Sequence, residues 1–160
     1  MARATRTTNS LNGPQIELHR GQLQAEWQDI RARRARLDAE ALRRQAEAST
    51  VQEAIAKLET TLPMAQAREA DFQRLVAQGY MSSHATQDKT RERVELERDL
   101  ATQRARLTEA RAALTETEQT KAAYLAETAR QLNDRHSLAA SRTRQLDAEL
   151  DKAMQRERLT

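Results

Sequence analysis

The sequence contains no cysteine, three glycines and two prolines, and aromatic residues make up only 2% of its 160 residues. The absence of cysteine excludes a disulfide framework and a thiolate metal site. A compact globular domain needs bulky side chains for its core and turn residues at each chain reversal, and this sequence supplies few of either. No apolar run approaches the roughly 20 residues of a membrane-spanning helix. These shortages leave long helices or disorder as the candidate states.

Charge and helix-forming residues dominate what is present. Charged residues make up 32% of the chain, with 27 Lys and Arg against 24 Asp and Glu, a net charge of +3 and an isoelectric point near 9.7. Such a nearly balanced mixture favours a well-solvated surface over a polyanion-binding one. Ala, Glu, Leu, Arg and Gln are abundant, which is typical of long helices and coiled coils.

The middle of the sequence contains a stretch without charge. Residues 75–87 (LVAQGYMSSHATQ) include no Asp, Glu, Lys or Arg. Gly79 suits the left-handed position just after a helix, where the following Tyr80 is expected to pack back on Leu75. Ser82 or Ser83 suits the N-cap of a second helix. The stretch therefore predicts two helices that meet at a loop over residues 78–82.

On both sides of this loop, apolar or small residues recur at intervals of three, four and seven, the pattern of a coiled-coil seam. The first arm carries Ile16, Leu23, Ile30, Leu37, Ala41, Ala48, Val51, Ile55, Leu58, Leu62 and Ala65. The second carries Leu96, Leu100, Leu107, Ala110 and Leu114 and, after a shift in phase, Leu125, Leu132, Leu146 and Leu150. This periodicity favours helices over disorder.

The two seams match each other when the chain folds back at Gly79. Residues whose numbers add up to 158 then pair, for example Leu62 with Leu96. Because the turn residues and the apolar repeats agree, we predict an all-α fold, a long antiparallel coiled-coil helical hairpin. The predicted hairpin covers residues 13–156: arm one over 14–77, the tip over 78–82 and arm two over 83–156.

Two details of arm one depend on proline. Pro14 suits the first position of a helix, so arm one is expected to begin there, and residues 1–12 are expected to be a disordered leader or cloning residues. Pro63 cannot donate a backbone hydrogen bond to Glu59, so arm one is expected to kink there or to divide into two helices.

No group of residues suggests catalysis or metal binding. His19, His84 and His136 are far apart in sequence and have no second ligand at a suitable spacing, so they are interpreted as surface residues. The sequence contains no nucleophile constellation, no phosphate-binding glycine loop and no carboxylate pair in a pocket. We therefore expect no enzymatic activity, no cofactor and no metal.

An arginine-rich stretch raises the question of nucleic-acid binding. It contains Arg31, Arg33, Arg34, Arg36, Arg43 and Arg44. Acidic residues interrupt the stretch and no aromatic residue accompanies it, so a solvated or partner-facing helix face is favoured and no nucleic-acid partner is expected.

The tip is the strongest candidate for a binding site. Turns are usually polar, but this one presents Val76, Tyr80, Met81 and Leu75 at the end of a long rod. Exposed apolar groups at such a place mark a contact surface.

Residues 75–82 (LVAQGYMS), flanked by heptad arms, resemble the hairpin tip of periplasmic membrane fusion proteins. Residues 57–63 (KLETTLP) and 92–114 resemble more narrowly the haemolysin-secretion, or HlyD-type, branch of that family. The resemblance covers roughly residues 15–155. In this branch arm one can be divided into two helices, for which the sequence offers Pro63 or Ser49-Thr50.

The resemblance implies a role in type I secretion. Such adaptors are anchored in the inner membrane and bridge an ABC transporter to a TolC-like outer-membrane channel, which the hairpin tip contacts, and six copies usually form a ring. Lipoyl-like and β-barrel parts of such adaptors are absent here, so the chain is expected to be an isolated hairpin domain.

The resemblance also implies which tip residues meet the channel. In related efflux adaptors, the tip carries an Arg, a Leu four residues later and a Ser seven residues after that Leu. Here Leu75 and Ser82 occupy the last two positions. Asp71 stands at the Arg position, and Arg74 is the nearest residue that could replace the Arg. The predicted partner-binding residues are Arg74, Leu75, Gly79, Tyr80, Met81 and Ser82. The alternative from another class is a cytoplasmic coiled-coil scaffold or dimerising spacer.

Overall fold

The structure, a computed structural model, describes the backbone of residues 4–159 and the side chains of residues 13–158. Helix α1 spans Ala4–Ala77 and helix α2 spans Ser83–Leu159, with residues 78–82 between them. The two helices pack against each other as an antiparallel hairpin, and no strand occurs in the part of the chain that is described. The predicted all-α helical hairpin is confirmed.

Helix α1 begins earlier than the sequence predicts. It starts at Ala4, so Gly13 and Pro14 lie inside it and Pro14 does not mark its first position. Residues 4–12 are helical instead of the disordered leader that was expected, and residues 1–3 lie outside the described part. Pro14 removes one backbone hydrogen bond without ending the helix here.

Helix α1 also continues through Pro63. The alternative that arm one divides into two helices, at Pro63 or near Ser49-Thr50, is therefore not adopted. The hydroxyl groups of neighbouring threonines donate to carbonyls one turn earlier: Thr60 to Ala56 at 2.9 Å and Thr61 to Lys57 at 3.0 Å. These side-chain hydrogen bonds lie on the helical turn that precedes Pro63, the residue that has no N–H group to donate.

The chain divides into two units, residues 1–118 and residues 119–160. The first contains all of α1, the tip and the beginning of α2. Its core follows the predicted seam, because Ala48, Ile55, Ala65 and Leu100 are its buried apolar residues. The other seam residues of this unit between 37 and 114 are half-buried, and no large side chain described is completely enclosed. The seam is therefore thin, and it does not include the predicted residues Ile16 and Leu23, which are 52% and 65% exposed.

Ion pairs between the helices accompany the seam in the first unit. Arg104 donates to Glu59 at 2.7 Å, and Arg68 donates to Glu92 at 3.4 Å. Both pairs lie within a few residues of the predicted register. Because their side chains are about half exposed, they contribute little to stability and mainly record which residues lie side by side.

The second unit, residues 119–160, is the remainder of α2. Four of its described leucine side chains are each more than a third exposed: Leu132, Leu138, Leu146 and Leu150. Threonine hydroxyls again donate to the helix backbone, as Thr128 does to Tyr124 at 2.8 Å.

Candidate functional site

Glycine ends α1 at the tip of the hairpin. Gly79 has a positive φ of 78°. The N–H of Tyr80 donates to the carbonyl of Leu75, and the N–H of Gly79 donates to the carbonyl of Val76, both at 3.0 Å. These two bonds form a Schellman motif, which satisfies carbonyls at the helix end and turns the chain away from the axis.

Serine begins α2 on the other side of the tip. Ser82 stands directly before the helix, and its carbonyl accepts a hydrogen bond from the N–H of Ala85 at 3.2 Å. Ser82 thus occupies the N-cap position and Ser83 is the first helical residue. The two helix ends, held by Gly79 and Ser82, fix the path of the short loop between them.

The tip exposes apolar side chains. Tyr80 is 77% exposed, so its ring lies in solvent and does not pack on Leu75 as the sequence predicted. Leu75 and Met81 are exposed by about a third, and Val76 is half-buried. Grouped exposed apolar side chains are typical of contact surfaces. The structure therefore places the predicted tip residues Leu75, Gly79, Tyr80, Met81 and Ser82 together on the surface that ends the hairpin.

Arg74 lies beside this surface but already has an ionic partner. Its guanidinium forms an ion pair with the carboxylate of Asp71 one turn earlier on α1. Both side chains are more than half exposed. An exposed pair of this kind is weak and easily exchanged for another partner.

A groove between the two helices opens directly behind the tip. It measures 480 Å³ and is lined by Gln73, Val76 and Ala77 of α1 and by Ser83, Thr86, Gln87 and Thr90 of α2. None of these side chains ionises, so the groove continues the uncharged surface of the tip. The hydroxyl oxygen of Thr86 is buried there and has no hydrogen-bond partner among the described residues. The groove combines apolar walls with uncharged polar side chains.

The sequence analysis did not predict this groove. Small or short side chains, Ala77, Ser83 and Thr86, stand where the seam approaches the turn, and together they leave the space between the helices unfilled. Their small size is the signal in the sequence that points to a gap.

A polar cluster closes the seam below the groove. Glu69 is a buried charged residue with an exposure of 8%. Thr90 donates to its Oε1 at 2.6 Å and Arg93 donates to its Oε2 at 2.5 Å. Arg93 also donates to Glu97 of its own helix at 2.7 Å, so Thr90 and Arg93 join α2 to α1 and Glu97 holds Arg93 in place.

These contacts shift the ionisation of the cluster. The pKa of Glu69 lies below its ordinary value of 4.5, because Thr90 and then Arg93 donate hydrogen bonds to the carboxylate and the charge of Arg93 favours the anion, although burial opposes them. The pKa of Arg93 is raised by its hydrogen bonds to Glu97 and Glu69. Both groups are therefore charged at neutral pH. The sequence analysis missed the cluster, although Glu69 follows Ala65 at seam spacing.

The histidines of the described part lie on its surface. His19 contacts Gln22 of its own helix at 3.3 Å, and His84 and His136 are exposed. No group of three or more His, Asp and Glu side chains in the described part is arranged to hold a metal ion. Within the same part, neither helix includes a segment apolar enough to span a membrane.

Comparison with models of protein families identifies the family of this hairpin. The model of the family described as CyaD, alpha-helical hairpin domain, matches residues 4–160, which is nearly the whole chain. The chain belongs to the CyaD alpha-helical hairpin domain family. In the comparisons with curated proteins and with solved structures, nothing matches this chain.

Membership in the CyaD hairpin family agrees with the architecture, because the match covers both helices and the tip. It indicates a secretion-adaptor-like role. Helical hairpin domains of adaptor families are typically not enzymes, which agrees in kind with the expectation from the sequence. In a CyaD-type hairpin the tip and the groove behind it are then the natural candidates for partner contact.

Proposed function

We propose that this CyaD-type hairpin is the periplasmic segment of a HlyD-type adaptor in a type I secretion system. In this role it bridges an inner-membrane ABC transporter to a TolC-like outer-membrane channel. The family match over residues 4–160 is the observation that carries the proposal. The resemblance of residues 57–63 and 75–82 to the HlyD branch supports the narrower assignment.

The length of α1 suits a bridging role. Its 74 residues give a helix of roughly 110 Å at ~1.5 Å per residue. A helix of this length, packed against α2 from about residue 37 to the tip, would set the distance between its two ends without chemistry of its own. Energy for transport would come from the transporter, which contacts parts of the adaptor outside this hairpin.

The contact with the channel is assigned to the tip. Leu75, Tyr80 and Met81 offer exposed apolar surface, and Gly79 and Ser82 shape the loop that presents it. The groove behind the tip offers walls without charge and the exposed amide groups of Gln73 and Gln87. Such a surface favours an uncharged, helical partner end that it can hold by shape and hydrogen bonding. Arg74 would join by exchanging Asp71 for an acceptor on the channel.

The remaining assignments follow from the same role. Neighbouring copies of the adaptor would stand side by side as a ring, six by family resemblance, with the mixed charges of the arms facing one another. The full-length protein would reside in the periplasm and be anchored to the inner membrane.

Crosslinking in cells tests the proposal. A photoreactive amino acid is placed at Tyr80 of the full-length protein, and at the exposed mid-arm residue Arg106 as a matched control. We expect capture of an outer-membrane channel subunit from Tyr80 and none from Arg106. Capture of cytoplasmic proteins alone, or of nothing, from Tyr80 contradicts the proposal and favours a coiled-coil scaffold.

A pair of substitutions separates the groove from the arms. Ala77→Trp fills the groove, whereas Ala105→Trp adds the same bulk to an exposed mid-arm position. We expect secretion to be lost in Ala77→Trp and retained in Ala105→Trp, at equal adaptor abundance. Equal secretion by both variants would show that the groove takes no part in channel contact.

A further inference from the structure

Glu69 occupies a position where the seam otherwise holds apolar or small residues. From Ala48 to Val76 the seam of α1 advances by alternating steps of three and four, and Glu69 lies between Ala65 and Phe72 in that series. Its exposure of 8% is close to that of the apolar core residues. A charged side chain at such a place requires compensation, because burying a carboxylate without partners is unfavourable.

The compensation comes from α2. Thr90 and Arg93 each donate to a different oxygen of the Glu69 carboxylate, at 2.6 and 2.5 Å. Gln73 of α1 adds a longer contact at 3.5 Å. Arg93 is held in turn by Glu97 at 2.7 Å. Glu69 is therefore paired with two particular residues of the facing helix.

The leucine repeat of the apolar seam fits more than one register. Leu100, Leu107 and Leu114 of α2 are separated by seven residues each, so sliding α2 along α1 by one heptad in either direction replaces leucine by leucine at the place of Leu107. Apolar contacts depend on buried area and shape, which such a slide largely preserves. The loop fixes the register only while the helix ends beside it remain intact, since unwinding them would lengthen the loop.

The polar cluster does distinguish the registers. A slide of seven residues in one direction brings Glu97 and Leu100 to the places of Thr90 and Arg93, and sets Glu69 against a second carboxylate. A slide in the other direction brings Ser83 and Thr86, neither of which carries a positive charge. In both cases Glu69 loses its cation while it stays in the seam, which is strongly unfavourable.

We propose that Glu69, Thr90, Arg93 and Glu97 form a register clamp, which prevents the two helices from sliding along each other and so holds the tip and its groove in one geometry. The clamp lies directly below the groove, and Thr90 belongs to both. A force applied at the tip therefore acts on this hydrogen-bonded cluster before it acts on the apolar contacts further from the tip. The clamp is a property of the hairpin and does not depend on the identity of its partner.

Distance measurements between spin labels test the clamp. The chain contains no cysteine, so labels are attached only where cysteine is introduced. We choose Gln52→Cys and Arg111→Cys, both at exposed positions, one heptad further from the tip than the bonded pair Glu59 and Arg104. In the native register these labels lie side by side, and a slide of one heptad moves them apart by ~10 Å along the helix axis.

The deciding variant replaces the charged pair by apolar side chains, Glu69→Leu with Arg93→Leu. Helix content and melting temperature are expected to be maintained, because leucine suits both seam positions. We expect the single distance of the parent to become at least two populations, the new one longer. The matched control, Glu59→Gln with Arg104→Gln, removes an exposed cross-helix pair and is expected to keep the single distance.

Retention of one narrow distance distribution in the folded double-leucine variant overturns the proposal. If that variant loses its helix content, the same distance is measured in Glu69→Gln instead. This variant keeps the size of the side chain and the hydrogen bond from Thr90 but loses the negative charge. A second, longer distance in Glu69→Gln supports the clamp, and an unchanged single distance in that variant refutes it.

Discussion

Alanine at Gly79 should destabilise the hairpin through the backbone alone. Gly79 adopts a φ of 78°, and a Cβ atom added there would meet no heavy atom within 4 Å. No steric contact therefore contributes to the effect of Gly79→Ala. What remains is the unfavourable left-handed conformation of an L-residue, about 1–2 kcal/mol, reduced slightly because alanine has less freedom than glycine in the unfolded chain. We expect a net loss of about 1 kcal/mol in the free energy of unfolding.

The same substitution at Gly21 should have the opposite sign. Gly21 lies inside α1, shows no positive φ and also has no heavy atom within 4 Å of an added Cβ. Alanine is preferred over glycine inside a helix by about 0.8–1 kcal/mol. Gly21→Ala should therefore stabilise the hairpin by up to that amount. The two variants differ only in the backbone conformation that receives the new methyl group.

Urea unfolding monitored by circular dichroism at 222 nm measures both effects. With a slope of roughly 2 kcal/mol per molar urea, a change of 1 kcal/mol moves the midpoint by about 0.5 M, downward for Gly79→Ala and upward for Gly21→Ala. Gly79→Asn should lose less than Gly79→Ala, because asparagine tolerates the left-handed conformation better. A midpoint for Gly79→Ala equal to or above that of the parent would refute the glycine-dependent cap at the tip.

Two further predictions concern the seam and its charges. Leu100→Ala, at a position only 6% exposed, should lower the free energy of unfolding by about 2–3 kcal/mol. Leu42→Ala, at a position 71% exposed, should change that free energy by less than about 0.5 kcal/mol. Equal urea midpoints for the two variants would contradict the assigned seam. The pKa values of Glu69 and Glu92 are lowered from 4.5, so their contribution to stability is complete above that pH and is lost as the pH falls below it. The urea midpoint should therefore be steady near neutral pH and drop in acid, with a smaller drop in Glu69→Gln, and an equal drop in that variant would show that Glu69 contributes nothing.

The turn and the seam were predictable because each depends on residues with few alternative uses. Gly79 is isolated in a long stretch without glycine, and its positive φ is a conformation that other residues adopt only with strain. Leucines at intervals of seven, such as Leu100 and Leu107, can be buried together only on one face of a helix. These local and periodic signals agree with each other, and the structure follows them between residues 37 and 114, whereas the predicted seam residues Ile16 and Leu23 are exposed.

The start of α1 was not predictable from its proline. Pro14 is suited to a first helical position, but that preference does not require the helix to begin there. The preceding residues contain no strong helix breaker other than Gly13, and α1 extends back to Ala4. Of the two outcomes expected at Pro63, the division of arm one does not occur, since one missing hydrogen bond does not end a helix of 74 residues.

The groove and the polar cluster were not predictable for a different reason. A charged residue at a seam position is equally compatible with an interruption of the seam and with a compensated charge. Which of these holds for Glu69 depends on whether Thr90 and Arg93 face it, and that depends on the register to within a single residue. The groove likewise depends on which small residues of α1 and α2 face each other, and the sequence of one arm alone does not show this.

The distribution of charge along the first unit connects the fold to its proposed use. On the arms, charged side chains such as Arg104 and Glu59 form exposed ion pairs, which contribute little to stability. Below the tip, the charge of Glu69 is buried and fully compensated. Beyond it, residues 75–87 carry no Asp, Glu, Lys or Arg. Because charge is compensated in the clamp and absent from the groove, a partner bound at the tip in the proposed role would be selected by shape and hydrogen bonding, and both would require that the two helices keep a single register.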